Sequence, residues 1–138
     1  MEKGRGEEGK RGRGEMSEPV KTPWGKWQVL VEGEGFKVKL LEINLGQRTS
    51  LQSHQEREEW LFLLEGWGTI ELEGQKEHWE PGERFVIKKG AKHRLKCYSS
   101  SPLRILEVQW GSVLTEKDII RYEDDYGRQT SSVPSFSQ

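Results

Sequence analysis

Between Trp27 and Trp110, apolar and polar residues alternate over short stretches, the period of strands with one buried face. The stretches are Trp27–Glu32, Phe36–Leu45, Trp60–Glu65, Trp67–Glu73, Arg84–Ile87, His93–Tyr98 and Leu103–Trp110. Turn signals separate them at Gly33-Glu34-Gly35, Gly66, Gly74, Pro81-Gly82, Lys89-Gly90 and Ser99–Pro102. Many short antiparallel strands at this spacing predict an all-β sandwich or small barrel. A short C-terminal helix is predicted after them, capped by Thr115 and running through Glu116-Lys117-Asp118-Ile119-Ile120.

The flanks break the pattern. Residues 1–19 interleave Gly with Lys, Arg and Glu, and residues 129–138 are rich in Ser, so both are expected to be disordered tails around one domain at residues 20–128. A chain of 138 residues is long enough for one core and not for two. The net charge of −1 gives no electrostatic case for nucleic acid or an anionic membrane as partner, and the tail's Arg5, Arg11 and Arg13 are offset by glutamates. Cys97 is the one cysteine, which excludes an internal disulfide and fits a reducing compartment. Neither a bilayer-spanning run nor the apolar core of a signal peptide is visible, so a soluble, cytoplasmic protein is expected.

Chemistry concentrates between Gly46 and Gly66. Gln52 and His54 stand two apart, so one strand face projects both, and Glu59 returns from the partner strand to meet them. On a second Gly-bounded hairpin, His93 shares a strand face with Leu95 and Cys97, which turns it inward. A set of Gln oxygen, His nitrogen, Glu oxygen and His nitrogen suits one divalent ion of Zn, Mn, Fe, Co or Ni better than Ca or Mg. The joint spacing carries the inference. Gly46-(x5)-Gln52-x-His54-(x4)-Glu59-(x6)-Gly66, then Gly82-(x5)-Lys88-x-Gly90-(x2)-His93, resembles the two motifs of the cupin superfamily, with Gln52 at the first histidine position and Lys88 at the usual proline. His78, outside both motifs, is read as a surface residue.

A narrower resemblance rests on further blocks. Thr22-Pro23-Trp24-Gly25-Lys26-Trp27, Gly46-Gln47-Arg48, Gly90-Ala91-Lys92-His93-Arg94-Leu95 and Asp118-Ile119-Ile120-Arg121-Tyr122-Glu123-Asp124-Asp125-Tyr126-Gly127-Arg128 are similar to blocks of the C-terminal cupin domain of type II phosphomannose isomerases. The resemblance covers roughly residues 21–128. It implies a double-stranded β-helix, or jelly-roll barrel, that interconverts mannose 6-phosphate and fructose 6-phosphate. In that family the domain often follows a guanylyltransferase domain of the GDP-mannose pathway, which has no counterpart in this sequence, so a stand-alone cupin is expected. Glu56 and Trp60 stand where the family places histidine, Thr22 replaces an arginine and Cys97 an asparagine. By this reading the metal donors survive and the rim of the active site does not.

Aldose–ketose isomerisation needs a base beside the migrating proton, charge for the developing oxyanion and a grip on the phosphate. Glu107, which alternates with Ile105 and Gln109, is the first choice of base, and Lys39 is its rival. Arg57 and Arg128 are the expected phosphate anchors because a guanidinium meets phosphate as a fork, and Gln109 is a further substrate contact. A non-catalytic cupin that binds a sugar or sugar nucleotide and regulates a partner is the alternative. A homodimer through exposed sheet edges is expected.

Overall fold

The computed structural model describes residues 17–130. Most of both expected tails falls outside them; Ser17 and Thr130, at the two ends of the described stretch, are hydrogen-bonded to Val29 and Arg121. The described residues form eleven strands: β1 (Val20–Thr22), β2 (Gly25–Gly33), β3 (Phe36–Ile43), β4 (Leu51–His54), β5 (Arg57–Glu65), β6 (Gly68–Leu72), β7 (Gln75–Trp79), β8 (Arg84–Ile87), β9 (His93–Cys97), β10 (Leu103–Gly111) and β11 (Ile119–Glu123). They pair antiparallel into a six-stranded sheet, β1-β2-β3-β10-β5-β8, and a five-stranded sheet, β11-β4-β9-β6-β7. The expected all-β jelly roll is the observed architecture. Among the described residues no helix is long and apolar enough to cross a membrane.

All seven stretches predicted from alternation are strands, with ends that differ by up to three residues. Four strands fall outside those stretches. β7 carries Gln75-Lys76-Glu77-His78, all exposed, so only Trp79 of that strand registers as core. The predicted C-terminal helix is not present. Its first residues, Glu116–Asp118, make one 3-10 turn, and the Thr115 side chain makes no capping bond. The β-branched pair Ile119-Ile120 instead opens β11 and lies against His54 and Ser53 of β4. Ladder bonds to β4 satisfy backbone groups that a helix this short would leave open at both ends.

The two sheets close on a core of Leu41, Ile43, Leu61, Leu63, Ile70, Trp79, Ile87, Leu95, Cys97, Leu103 and Ile105, with Trp24 at its edge. Trp79 is fully buried and still satisfies its one polar atom, donating from Nε1 to the Glu83 carbonyl at 3.1 Å. Close approach is enforced at Gly111, where a Cβ would meet the Glu56 carbonyl oxygen at 2.2 Å. That contact lets the end of β10 lie tight on the start of β5, where the first charged side chain of the interior, Arg57, emerges.

Candidate metal centre and its cavity

Strand alternation decides which side chains enter the barrel. On β5 these are Arg57, Glu59, Leu61 and Leu63; on β10 they are Gln109, Glu107, Ile105 and Leu103. Register lines them up across the sheet: Gln109 opposes Lys37 and Glu59, Glu107 opposes Lys39 and Leu61, and Ile105 opposes Leu41 and Leu63. In the other sheet Arg121 of β11 opposes Gln52 of β4, which opposes His93 of β9, which opposes Leu72 of β6. A polar layer therefore spans both sheets at one end of the barrel.

Within it His54, Glu59 and His93 place one donor atom each within 4.8 Å of one another. All three are at most 2% exposed. Glu59 lies between the rings, with Oε2 3.4 Å from His54 Nδ1 and Oε1 3.7 Å from His93 Nε2. His93 Nδ1 donates to the Ala91 carbonyl at 3.0 Å, a bond that fixes the tautomer and leaves the Nε2 lone pair facing the carboxylate. Gly90, at φ +79°, makes the turn into this segment and donates its amide to the His54 carbonyl at 2.7 Å. Neither ring nitrogen of His54 has a hydrogen-bond partner although both are buried. Buried polar atoms are rarely left so.

The electrostatics agree. Burial, then the positive charges of Arg57 and its neighbours, holds His54 far below the usual imidazole pKa, and burial lowers His93 as well. Both rings are therefore neutral, the form that ligates metals. Two neutral imidazoles and a carboxylate, one imidazole without a partner, fit a divalent transition ion. Gln52, expected as a fourth donor, stands opposite His93 in the strand register. It lines the adjoining cavity, and its amide oxygen accepts from Ser50 Oγ at 2.9 Å.

That cavity opens to solvent, and its space, mouth included, is about 520 Å³. Its polar wall is Lys39, Gln52, Arg57, Glu107, Gln109, Glu116, Arg121 and Arg128, and Trp24, Trp27, Leu41 and Leu95 line its apolar side. The three trio residues do not line it; Arg57, Gln52, Glu107 and Gln109, which border the trio, do. All five residues expected as catalytic or substrate-binding are thus brought to one chamber, in different states. Arg57 is pinned, donating from Nε to Glu59 Oε2 and from Nη1 to the Thr115 carbonyl, each at 3.0 Å. Arg128 forks onto Asp124 through Nε and Nη2 at 2.8 and 2.9 Å. Lys39 donates to Glu116 at 3.0 Å with its ammonium 3.8 Å from the Trp27 ring centre. Gln109 Nε2 donates to Glu107 Oε1 at 3.0 Å. Burial first, then the charge of Glu59 and a hydrogen bond to it, pushes the Glu107 carboxyl up to about 8.

Arg121 was not among the expected site residues. It lines the cavity, and its Nε is buried without a partner. Burial and then the neighbouring Arg128 lower its pKa. Arg121 thus brings an open donor to the chamber beside Arg128, whose own guanidinium is engaged by Asp124. Reading Asp118–Ile120 as helix hid it, because only strand alternation from Ile119 aligns Arg121 with the cavity.

The replaced histidine positions do not bear on the chamber. Trp60 follows Glu59 and so points to the opposite face of the sheet, where it packs edge-on to Trp110 with ring centres 5.2 Å apart. Glu56 is exposed in the β4–β5 turn, accepting from Ser112 Oγ at 3.3 Å. Thr22 does line the cavity, and its hydroxyl accepts from the Gly25 amide at 3.0 Å. The side chain of Cys97 is buried beside Ser99 and Ser101.

With this geometry in view, comparisons with known proteins are specific. The family model described as mannose-6-phosphate isomerase C-terminal matches residues 10–124. The mannose-1-phosphate guanylyltransferase ManC of Salmonella typhimurium is 35% identical over 113 residues, covering 82% of this chain and 24% of that protein. The xanthan biosynthesis protein XanB of Xanthomonas campestris is 36% identical over 109 residues, covering 79% of this chain and 23% of its own. The chain thus spans about a quarter of the length of these relatives. Among solved structures, the cupin domain of Schizosaccharomyces pombe Cnp3 superposes with a TM-score of 0.61 at 14% identity, covering 63% of this chain and 64% of that one, a likeness of fold alone. The chain belongs to the mannose-6-phosphate isomerase C-terminal family of cupin domains.

Proposed function

We propose that this domain is a metal-dependent aldose–ketose isomerase that interconverts mannose 6-phosphate and fructose 6-phosphate. The observation that carries the reading is the His54–Glu59–His93 trio, with His54 unpartnered, beside a chamber that combines a proton-holding carboxyl and an open guanidinium. His54, Glu59 and His93 would hold the ion, with Gln52 as the neighbouring oxygen donor. A bound divalent ion would supply positive charge for the oxygens of the reacting carbons.

The chain's own groups do the rest. Arg121 and Arg128 face an anion from one side of the chamber and would hold the phosphate, setting the distance from it to the reacting carbons. Glu107 is the proton carrier: its raised pKa lies close to the working pH, which suits a group that must take a proton from one carbon and return it to the next. Gln109, donating to Oε1, orients that carboxyl. Lys39 opposes Glu107 on β3 and adds positive charge at the enediolate stage; with its ammonium tied to Glu116 it is the weaker candidate for base. Arg57 serves mainly to position Glu59.

The test is the metal content of purified protein followed by a mannose 6-phosphate isomerase assay on the same batch. Turnover that rises with metal occupancy is expected. No turnover above that of the doubly substituted His54→Ala, His93→Ala protein would sink the proposal. Thermal stabilisation by mannose 6-phosphate without turnover would instead support the sugar-binding regulator.

A further inference from the structure

The outer face of the six-stranded sheet should be polar if it faced water, because antiparallel sheets exposed on one side alternate apolar-in and polar-out. Here it is apolar. Register aligns Val31, Val38, Val108, Trp60 and Val86 in one row across β2, β3, β10, β5 and β8. The next row runs through Leu40, Leu106 and Phe62, and the row on the other side contains Phe36 and Trp110. These side chains are half-buried by one another, and Val31, Phe36 and the adjacent Leu64 are 41%, 39% and 45% exposed.

The rim has a definite charge pattern. Beyond the Leu40–Phe62 row the same strands carry Lys26, Glu42, Arg104 and Glu65 side by side, alternating in sign, with pairs at 4.0 Å (Lys26–Glu42) and 3.3 Å (Arg104–Glu65). At the other end Glu58 lies 4.0 Å from Lys88. The ladder alternates in sign, and the cations Arg84 and Lys88 at the β8 edge are only two, so the rim as a whole has no single-sign field for nucleic acid or an anionic membrane and does not repel a copy of itself.

We propose that this outer face is the homodimer interface, packing against the same face of a second copy about a two-fold axis. A two-fold contact needs a self-complementary patch, and an apolar field bounded by a ladder of alternating charges is one. Five strands at about 4.8 Å spacing and three rows at about 6.8 Å make a field roughly 20 Å on a side. With its rim it is on the order of the ~800 Å² that each partner contributes to a standard interface. Trp60 in its central row, with Trp110 packed against it from the next row, supplies the aromatic anchors such interfaces favour. The face, rather than the sheet edges, joins the copies.

Sedimentation equilibrium of the full chain tests this without reference to catalysis. Wild type is expected at twice the chain mass. Val108→Arg, which sets a charge in the central row, is expected at the single-chain mass with an unchanged far-ultraviolet spectrum. If that variant fails to fold, Val31→Arg with Phe36→Arg decides, because both positions are already partly exposed; dissociation should strengthen about tenfold or more. A monomeric wild type would overturn the proposal and leave the face to another domain or protein. Folded variants that remain dimeric would overturn it in favour of another surface.

Discussion

The two ends of the barrel interior are built from the same strands and do opposite work. β3 enters with Lys39 and leaves with Leu41 and Ile43; β5 enters with Arg57 and Glu59 and leaves with Leu61 and Leu63; β10 runs from Gln109 and Glu107 to Ile105 and Leu103. On β9 the change falls between His93 and Leu95. The switch occurs at one level, because the register ties Glu107 to Lys39 and Leu61, and Ile105 to Leu41 and Leu63. The apolar end supplies the stability that the buried charges of the other end cost. The difference shows that a single strand can serve as wall of a core and wall of a site, provided its neighbours change character at the same height.

Substitutions at the two ends should separate cleanly. The largest effect is expected from His54→Ala or His93→Ala: the bound metal is lost, isomerase turnover falls to background, and the metal-free protein keeps its melting temperature within a few degrees. Metal analysis and calorimetry on one sample would show this. Leu63→Ala, at the apolar end, should cost about 2–5 kcal/mol of stability by denaturant titration while the folded fraction still binds metal stoichiometrically. Loss of metal affinity in that folded fraction would show that the two ends are not independent.

Glu107→Gln comes next. It keeps the shape and the bond from Gln109 but cannot carry a proton, so kcat should fall by about 10²–10⁴ with metal content unchanged. Arg121→Ala should chiefly raise KM for the sugar phosphate, by about tenfold or more, since it removes a phosphate donor remote from the reacting carbons. An equal fall in kcat with KM unmoved would count against Arg121 as a phosphate anchor.

The smallest effect is on pH dependence. In metal-free protein His54 and His93 stay neutral when folded but take protons below about pH 6.5 when unfolded, so stability falls as pH drops through that value. Glu107 works in the opposite sense: folded protein keeps its proton up to about 8, whereas the unfolded chain loses it above 4.5, so its contribution declines across that window as pH rises. Two histidines outweigh one carboxyl below pH 6.5, and the carboxyl acts alone above it. Metal-free protein should therefore be most stable between about pH 6 and 7, with a shallow decline on the alkaline side. A monotonic rise to pH 8 in urea titrations would show that Glu107 is not held protonated.

Much of this arrangement was legible in the residues. Period-2 alternation identifies long strands such as β5 and β10 because each has one buried face, and the same alternation turns Lys39, Glu107, Gln109 and His93 inward. What escaped has physical causes. β7 presents almost nothing but exposed polar residues, so no period marks it. Thr115–Ile120 satisfies local helix signals, yet pairing with β4 outweighs them, and with the helix went the orientation of Arg121. Arg94, on the face of β9 opposite His93, is nonetheless 5% exposed, engaged with the Thr49 carbonyl and Glu123, contacts from distant segments that no local pattern reveals. Trp60 neighbours Glu59 in sequence and stands where the family places histidine, yet in a strand adjacency means opposite faces.

That last feature has a consequence for how such a chain tolerates change. Glu59 and Trp60 are neighbours whose roles never meet, so substitutions at Trp60 can redraw the outside of the barrel without touching the donors. An inserted or deleted residue inside β5 is another matter. It would exchange the two faces beyond that point, pushing the indole toward the histidines and the carboxylate out toward Trp110. Lengthening is harmless only where no ladder has to be kept in step, such as the exposed Gly33-Glu34-Gly35 turn. The barrel is therefore permissive to exchange of letters and unforgiving of any shift in their count.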